Sequence, residues 1–266
     1  MPIASFNTYQ KARRFSPATI KRREVALRQW MRFIAPMGWD QASAAHADEF
    51  IASRASARTA HAYRSDLMCF YRWACQRGLV TRNPFADTGP VRVPKALPKP
   101  MPAELARIAI VTAPAFDVAL ALMLAMFAGL RRAEIAKLTA DDLRDGKIVV
   151  REGKGRKDRT VPIHVELAAM LTRLELAGPV FNMTADSLGV RCNAHLARFG
   201  PYTMHCLRHL FATEFARVSN GNVPRLAELL GHANLETTMA YIKLMGGSDE
   251  ILREMFQNGE RGDRAA

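Results

Sequence analysis

Apolar residues recur at helical spacing in the first third of the chain. Between Ala18 and Ile34 they fall at Ile20, Val25, Leu27, Trp30, Met31 and Ile34, mixed with basic residues. Ser16-Pro17 precedes this stretch, a hydroxyl cap followed by proline at the first helical position, where no N–H is needed. A second helix is predicted over about Ala45 to Arg54. A third runs from about Ala57 to Arg77 with Tyr63, Leu67, Phe70, Tyr71 and Ala74 on one face. Gly78 supplies its C-cap and Asn83-Pro84 its stop. The pattern predicts a small helical bundle with Lys21, Arg22, Arg23, Arg28, Arg58, Arg64 and Arg72 facing outward.

Prolines then crowd together at 90, 94, 98, 100 and 102, interleaved with Arg92, Lys95 and Lys99. Proline at that density gives a stiff, semi-extended linker, and its basic residues suit a phosphate backbone. Beyond it, the apolar run from Val118 to Leu130 is too short to span a bilayer and predicts a buried core helix. Asp145-Gly146 is a turn signal, KIVVRE at 147–152 alternates as a strand, and RTVPI at 159–163 is the returning strand, with Gly153-Lys154-Gly155 in the connection. Helices resume from about Glu166. The fold class is therefore mainly α, a helical bundle followed by a mostly helical domain with a small antiparallel β-sheet. The expected divisions are 1–89 for the bundle, 90–102 for the linker and 103–266 for the second domain.

Composition narrows the function. The 266 residues are 49% hydrophobic and 24% charged, a globular balance, and the net charge is +13. Residues 1–100 hold 17 Lys and Arg against 6 Asp and Glu, a net +11, whereas residues 101–266 carry only +2. Such asymmetry suggests that the first part grips a polyanion, although a solvated basic face kept for solubility has the same arithmetic. The N-terminus lacks the apolar stretch of a secretory signal. Cys69, Cys75, Cys192 and Cys206 show no CxxC pairing, so free thiols in a reducing cytoplasm are expected, with neither disulfide nor zinc site. There is no GxxxxGK[ST] phosphate loop and no carboxylate cluster for a two-metal centre, so no cofactor, ATP or metal is expected.

Four separated segments carry candidate chemistry: GLRRAEIAKL at 129–138, GKGRKDR at 153–159, HCLRHLFAT at 205–213 and LGHANLETTMAYI at 230–242. Singly, each has an ordinary explanation: a capped helix end, a hairpin turn, a chance HxxR, a half-buried tyrosine. Together and in this order they resemble the tyrosine recombinase (phage integrase) family. The resemblance rests on Arg131, Lys154, His205, Arg208, His232 and Tyr241, and on the flanking Glu134, Ala212-Thr213 and Leu230-Gly231. It covers the whole second domain; the first resembles, more loosely, the family's core-binding bundle.

The resemblance implies a site-specific DNA recombinase that cuts and rejoins DNA through a 3′-phosphotyrosyl intermediate, integrating or excising a phage or mobile element. In that reading Tyr241 is the nucleophile, and Arg131 and Arg208 clamp the non-bridging oxygens with their planar, permanently charged forks. His232 adds a donor, His205 is the base and Lys154 protonates the departing 5′-oxygen. Arg58, Arg64 and Lys95 are the expected DNA contacts outside the active site. Lys157 and Arg159 are expected to touch phosphates. His209, one residue after Arg208, is expected to face another way and serve support or packing. Implied partners are double-stranded DNA, three further copies of the chain in a homo-tetramer on synapsed sites, with a monomer free in solution, and an accessory directionality protein; no membrane is implied. Only about fifteen residues precede the Ser16 helix, which suggests a simple type without an arm-binding domain. A short helix capped by Ser248 (Ile251, Leu252, Met255, Phe256) is expected to dock on a neighbouring protomer or its own domain, and the terminal Ala-Ala resembles a degradation tag. Two alternatives share the fold: a type IB-like topoisomerase, and a DNA-binding regulator with silent chemistry.

Overall fold

The computed structural model of the chain describes residues 2–94, 97–151, 158–173, 177–232 and 238–241. The chain divides into two compact units, 1–95 and 96–266. Lys95, Lys154, Lys157, the Gly153–Gly155 connection, the expected helix over 248–256 and the Ala-Ala end lie outside the described residues.

Among its described residues the first unit has four helices: α1 (Pro2–Ala12), α2 (Pro17–Ile34), α3 (Ala44–Ala52) and α4 (Ala57–Gln76). Ser16, Ser43 and Ser56 each cap a helix by accepting from a backbone N–H three residues on. Gly78 follows α4 at φ +67°, the left-handed geometry that ends a helix. The core is aromatic. Trp30 is fully buried, meets Phe50, Tyr71 and Phe85 edge-on or tilted, and donates its indole N–H to the Tyr71 hydroxyl at 2.7 Å. That hydroxyl in turn donates to the Trp39 carbonyl, also at 2.7 Å.

Three features of this unit differ from expectation. α1 is an additional helix, held by tertiary contact: its buried Phe6 meets Phe70 edge-on and Trp73 at a tilt. Val25 is exposed rather than on the buried stripe of α2. Not all the arginines face outward freely. Arg22 grips the buried Asp66 with two hydrogen bonds of 2.7 and 2.8 Å, fastening α2 to α4.

The second unit contains α5 (Ala103–Val111), α6 (Phe116–Phe127), α7 (Arg132–Ile135), strands β1 (Leu143–Arg144), β2 (Lys147–Val150) and β3 (Arg159–Pro162), then α8 (Val165–Leu171), α9 (Ala185–Leu196), α10 (Met204–Val218) and α11 (Val223–Leu230). A helical turn over 238–241 follows. α6 is the hub: every residue from Val118 to Met126 is buried, and α5, α8, α9 and α10 pack around it. Burying an apolar helix on all sides contributes roughly 1.5–3 kcal/mol per large side chain. The strands form one antiparallel sheet in the order β1-β2-β3. Asp145 and Gly146, both at positive φ, make the two-residue turn between β1 and β2. Ile148 pairs with Val161 and Val150 with Arg159, so the inward face of the sheet carries three aliphatic residues and one arginine. Among the described residues no helix is long and apolar enough to cross a membrane.

Candidate active site

Four pieces of the second unit converge: the α6–α7 junction, β3, α10, and the segment that follows α11. Gly129 ends the α6 segment at φ +62°, and Gly231 ends α11 in the left-handed conformation. Both glycines turn a carbonyl towards an arginine. Arg208, in the second turn of α10 and only 2% exposed, donates Nη1 to the Gly129 carbonyl and Nη2 to the Leu230 carbonyl at 2.7 Å. Arg131, at the N-cap of α7, donates Nη2 to the Gly231 carbonyl at 3.0 Å. At Gly129 the geometry leaves no choice of residue, since a Cβ would lie 2.4 Å from the Phe211 ring.

Glu134 binds the group together. It accepts from the Arg131 backbone N–H at 2.8 Å and from Arg131 Nη1 at 2.7 Å. Arg159, buried on β3, donates to both carboxylate oxygens at 3.1 and 2.8 Å and sends Nε to the Leu229 carbonyl at 2.8 Å. Arg208 stands 3.9 Å from the same carboxylate. Burial would raise the Glu134 carboxyl, but Arg159 and then Arg131 outweigh it and bring it down to about 2. Three guanidiniums thus face one carboxylate, an arrangement with two positive charges in excess and suited to an oxyanion. Burial and the neighbouring Arg131 also lower Arg208, to about 10.

The remaining groups lie beside this cluster. His232 Nε2 is 3.2 Å from Arg208 Nη2, and its Nδ1 is 2.9 Å from the Thr238 hydroxyl, which fixes the ring from behind. Tyr241 is 3% exposed, and its hydroxyl lies 2.8 Å from His209 Nδ1. Burial raises the phenol above the ordinary tyrosine value, against the opposing pull of Arg208 and Arg131. His205 is exposed, and its ring packs edge-on against His209 at 4.2 Å between centroids. Partial desolvation and the charges of Arg208 and Arg131 hold His205 below the usual histidine value. No group of three or more metal-type ligands occurs among the described residues.

The phage integrase family model matches residues 104–246, which span this entire cluster. The chain belongs to the phage integrase family. It is 30% identical over 258 residues to the tyrosine recombinase XerC of Shewanella amazonensis, covering 87% of each chain. Its fold is similar to that of lambda integrase. One similar structure is a lambda integrase (75–356) dimer bound to a COC′ core site, 17% identical with a TM-score of 0.74 over 90% of this chain and 93% of that one. Another is a lambda integrase tetramer bound to a Holliday junction, 17% identical with a TM-score of 0.72 over 88% and 76%.

In this integrase-family chain, Arg131, Arg208 and His232 come together around the two glycine turns, and Tyr241 adjoins them through α10. Three expectations are corrected. The Tyr241 hydroxyl bonds to His209, not to His205: the two histidines are four residues apart on α10 and share a face, a relation that counting from Arg208 hides. Arg159 is 7% exposed and committed to Glu134 and Leu229 rather than held out for phosphates. The strand alternation that buries Val161 also buries residue 159, so its burial, though not its partners, is legible in RTVPI. Arg64 is occupied internally, donating Nε to the Thr88 hydroxyl at 2.8 Å and Nη2 to the Thr88 and Phe85 carbonyls, which fastens the segment after α4. Arg58 is exposed in the first turn of α4. Thr238 was not anticipated; its signal is the three-residue spacing to Tyr241, which puts both on one helical face.

Proposed function

We propose that this chain is a site-specific DNA recombinase that cuts and rejoins duplex DNA through a 3′-phosphotyrosyl bond at Tyr241, integrating or excising a mobile element. The observation that carries the reading is a preset oxyanion site, built from Arg131, Arg208 and His232, next to a buried tyrosine hydroxyl. A phosphodiester under attack gathers charge on its non-bridging oxygens, and fixed donors stabilise that charge without reorganising. Lys154 would protonate the departing 5′-oxygen. The covalent bond conserves the phosphodiester's energy, so a 5′-hydroxyl can reseal the strand without ATP.

The first unit would hold the DNA, with Arg58 and Lys95 on phosphates. Its support is the net +11 of residues 1–100 and the DNA-bound lambda integrase structures of similar fold. By the same likeness the working assembly would be a homo-tetramer on two synapsed sites.

The test is a suicide substrate nicked beside the cleavage position. Wild-type protein should accumulate a covalent adduct that Tyr241→Phe cannot form. Tight binding without any adduct would refute the reading in favour of a DNA-binding regulator. Adduct formation with relaxation of supercoils, but no exchange between two sites, would refute it in favour of a topoisomerase.

A further inference from the structure

We propose that His209 is the group that takes the proton from the Tyr241 hydroxyl, with His205 as an outer neighbour that shields it. The inference rests on the recombinase reading above. Its ground is contact: His209 Nδ1 lies 2.8 Å from the Tyr241 oxygen, within the range for direct proton transfer, whereas His205 meets the ring of His209.

The surroundings of His209 suit an acceptor. On its own helix it is faced by His205 and Arg208, and across from it by Tyr241. Burial, then His205 and Arg208, push its imidazole down to about 4, so without DNA the ring is uncharged at neutral pH, with a lone pair to offer but little basicity. With the proton on Nε2, Nδ1 accepts from the phenol. A phosphodiester bound between Arg131 and Arg208 brings a negative charge to the cations that depress His209. Its proton affinity therefore rises when substrate is present, so activation is coupled to occupancy.

The step balances. The Tyr241 O–H bond breaks and its proton passes to His209 Nδ1 as the phenolic oxygen bonds to phosphorus. The P–O5′ bond breaks, and its electron pair leaves on the 5′-oxygen, which takes a proton from Lys154 or water. In resealing, the 5′-hydroxyl gives its proton back to Lys154 or water and bonds to phosphorus, the P–O bond to Tyr241 breaks, and the tyrosine oxygen recovers its proton from His209.

The experiment compares single-turnover adduct formation on the suicide substrate across pH 4–9 for wild type, H209N, H209A and H205N, a range that holds the acid limb of His209 as the bound phosphate lifts it from about 4. Affinity for the same DNA and the thermal unfolding midpoint serve as controls. Asparagine sets an amide oxygen near the position of Nδ1, so H209N keeps a hydrogen bond to Tyr241 but cannot accept its proton. H209N is expected to bind DNA as wild type and to cleave about 100-fold or more slowly, with the acid limb of the pH–rate profile abolished. H205N should retain that limb. A substrate with sulfur in place of the bridging 5′-oxygen, whose leaving group needs no acid, should not rescue H209N. An H209N rate within about threefold of wild type, or rescue by the sulfur substrate, overturns the proposal while leaving the recombinase reading intact. Absence of a Tyr241-dependent adduct from wild type overturns the reading itself.

Discussion

Replacing Glu134 by glutamine should destabilise the second unit by about 3 kcal/mol and leave the first untouched. Glutamine keeps the side chain's shape but removes the charge and turns an NH2 towards donors on Arg131 and Arg159. The magnitude follows from the carboxyl's displacement, from the ordinary 4.5 to about 2, at a side chain only 10% exposed. Some 2.5 pH units at about 1.4 kcal/mol each come to between about 3 and 4 kcal/mol, and the slight exposure trims this to about 3. The sign is that of a depressed carboxyl: the stabilisation is complete above about pH 4.5 and fades as pH falls towards 2. The difference between E134Q and wild type should therefore hold steady from pH 7 to 5 and narrow below that. Urea titration provides the assay, because Trp30, Trp39 and Trp73 all lie in residues 1–95. Tryptophan fluorescence follows the first unit, and far-UV circular dichroism also registers the second. With a urea slope of roughly 1–3 kcal/mol per molar, the dichroism midpoint of the second unit should drop by about 1–3 M. An unchanged dichroism midpoint at pH 7, or a shift confined to the tryptophan signal, would refute the argument that this carboxylate holds the arginines.

Other substitutions probe the neighbouring links. Gly129→Ala sets a Cβ against Phe211 and forces an L-residue to φ +62°, so thermal unfolding of the second unit should reflect a loss of about 2–4 kcal/mol; a midpoint within about 2 °C of wild type would contradict it. Asp66→Ala should cost the first unit about 1–2 kcal/mol by tryptophan fluorescence, a modest figure because Arg22 is 60% exposed and screened. Thr238→Val removes the partner of His232 Nδ1 at constant volume. Cleavage should fall about tenfold at unchanged DNA affinity, a rate matching one hydrogen bond's contribution; equal rates would show that the ring needs no support from behind.

The parts legible in the sequence are those governed by local pattern. α2, α4 and the apolar α6 announce themselves by periodicity and caps, and the Asp145-Gly146 turn by its residue types. α1 does not, because its stability comes from Phe6 meeting Phe70 and Trp73, residues more than sixty positions away. In the site, Arg131, Arg208 and His232 stand in recognisable motifs, and the left-handed Gly231 marks the turn that brings two of them together. The partner of Tyr241 was obscured by a choice of reference: seen from Arg208, His209 points elsewhere, but seen from His205 it is one helical turn on. The internal duties of Arg159 and Arg64 depend on Glu134 and Thr88, contacts between distant segments that no local spacing encodes.

Arg208 is aimed by two backbone carbonyls, those of Gly129 and Leu230, and Arg131 by that of Gly231 beside the Glu134 carboxylate. A carbonyl is a dipole and not an ion, so it orients a guanidinium without cancelling its formal charge. The rotamer freedom of these long side chains is surrendered during folding, and none remains to be lost when a phosphate arrives. The protein thus carries a standing electric field at the site before any DNA is bound, and what docking must still supply is the scissile phosphate in the right place.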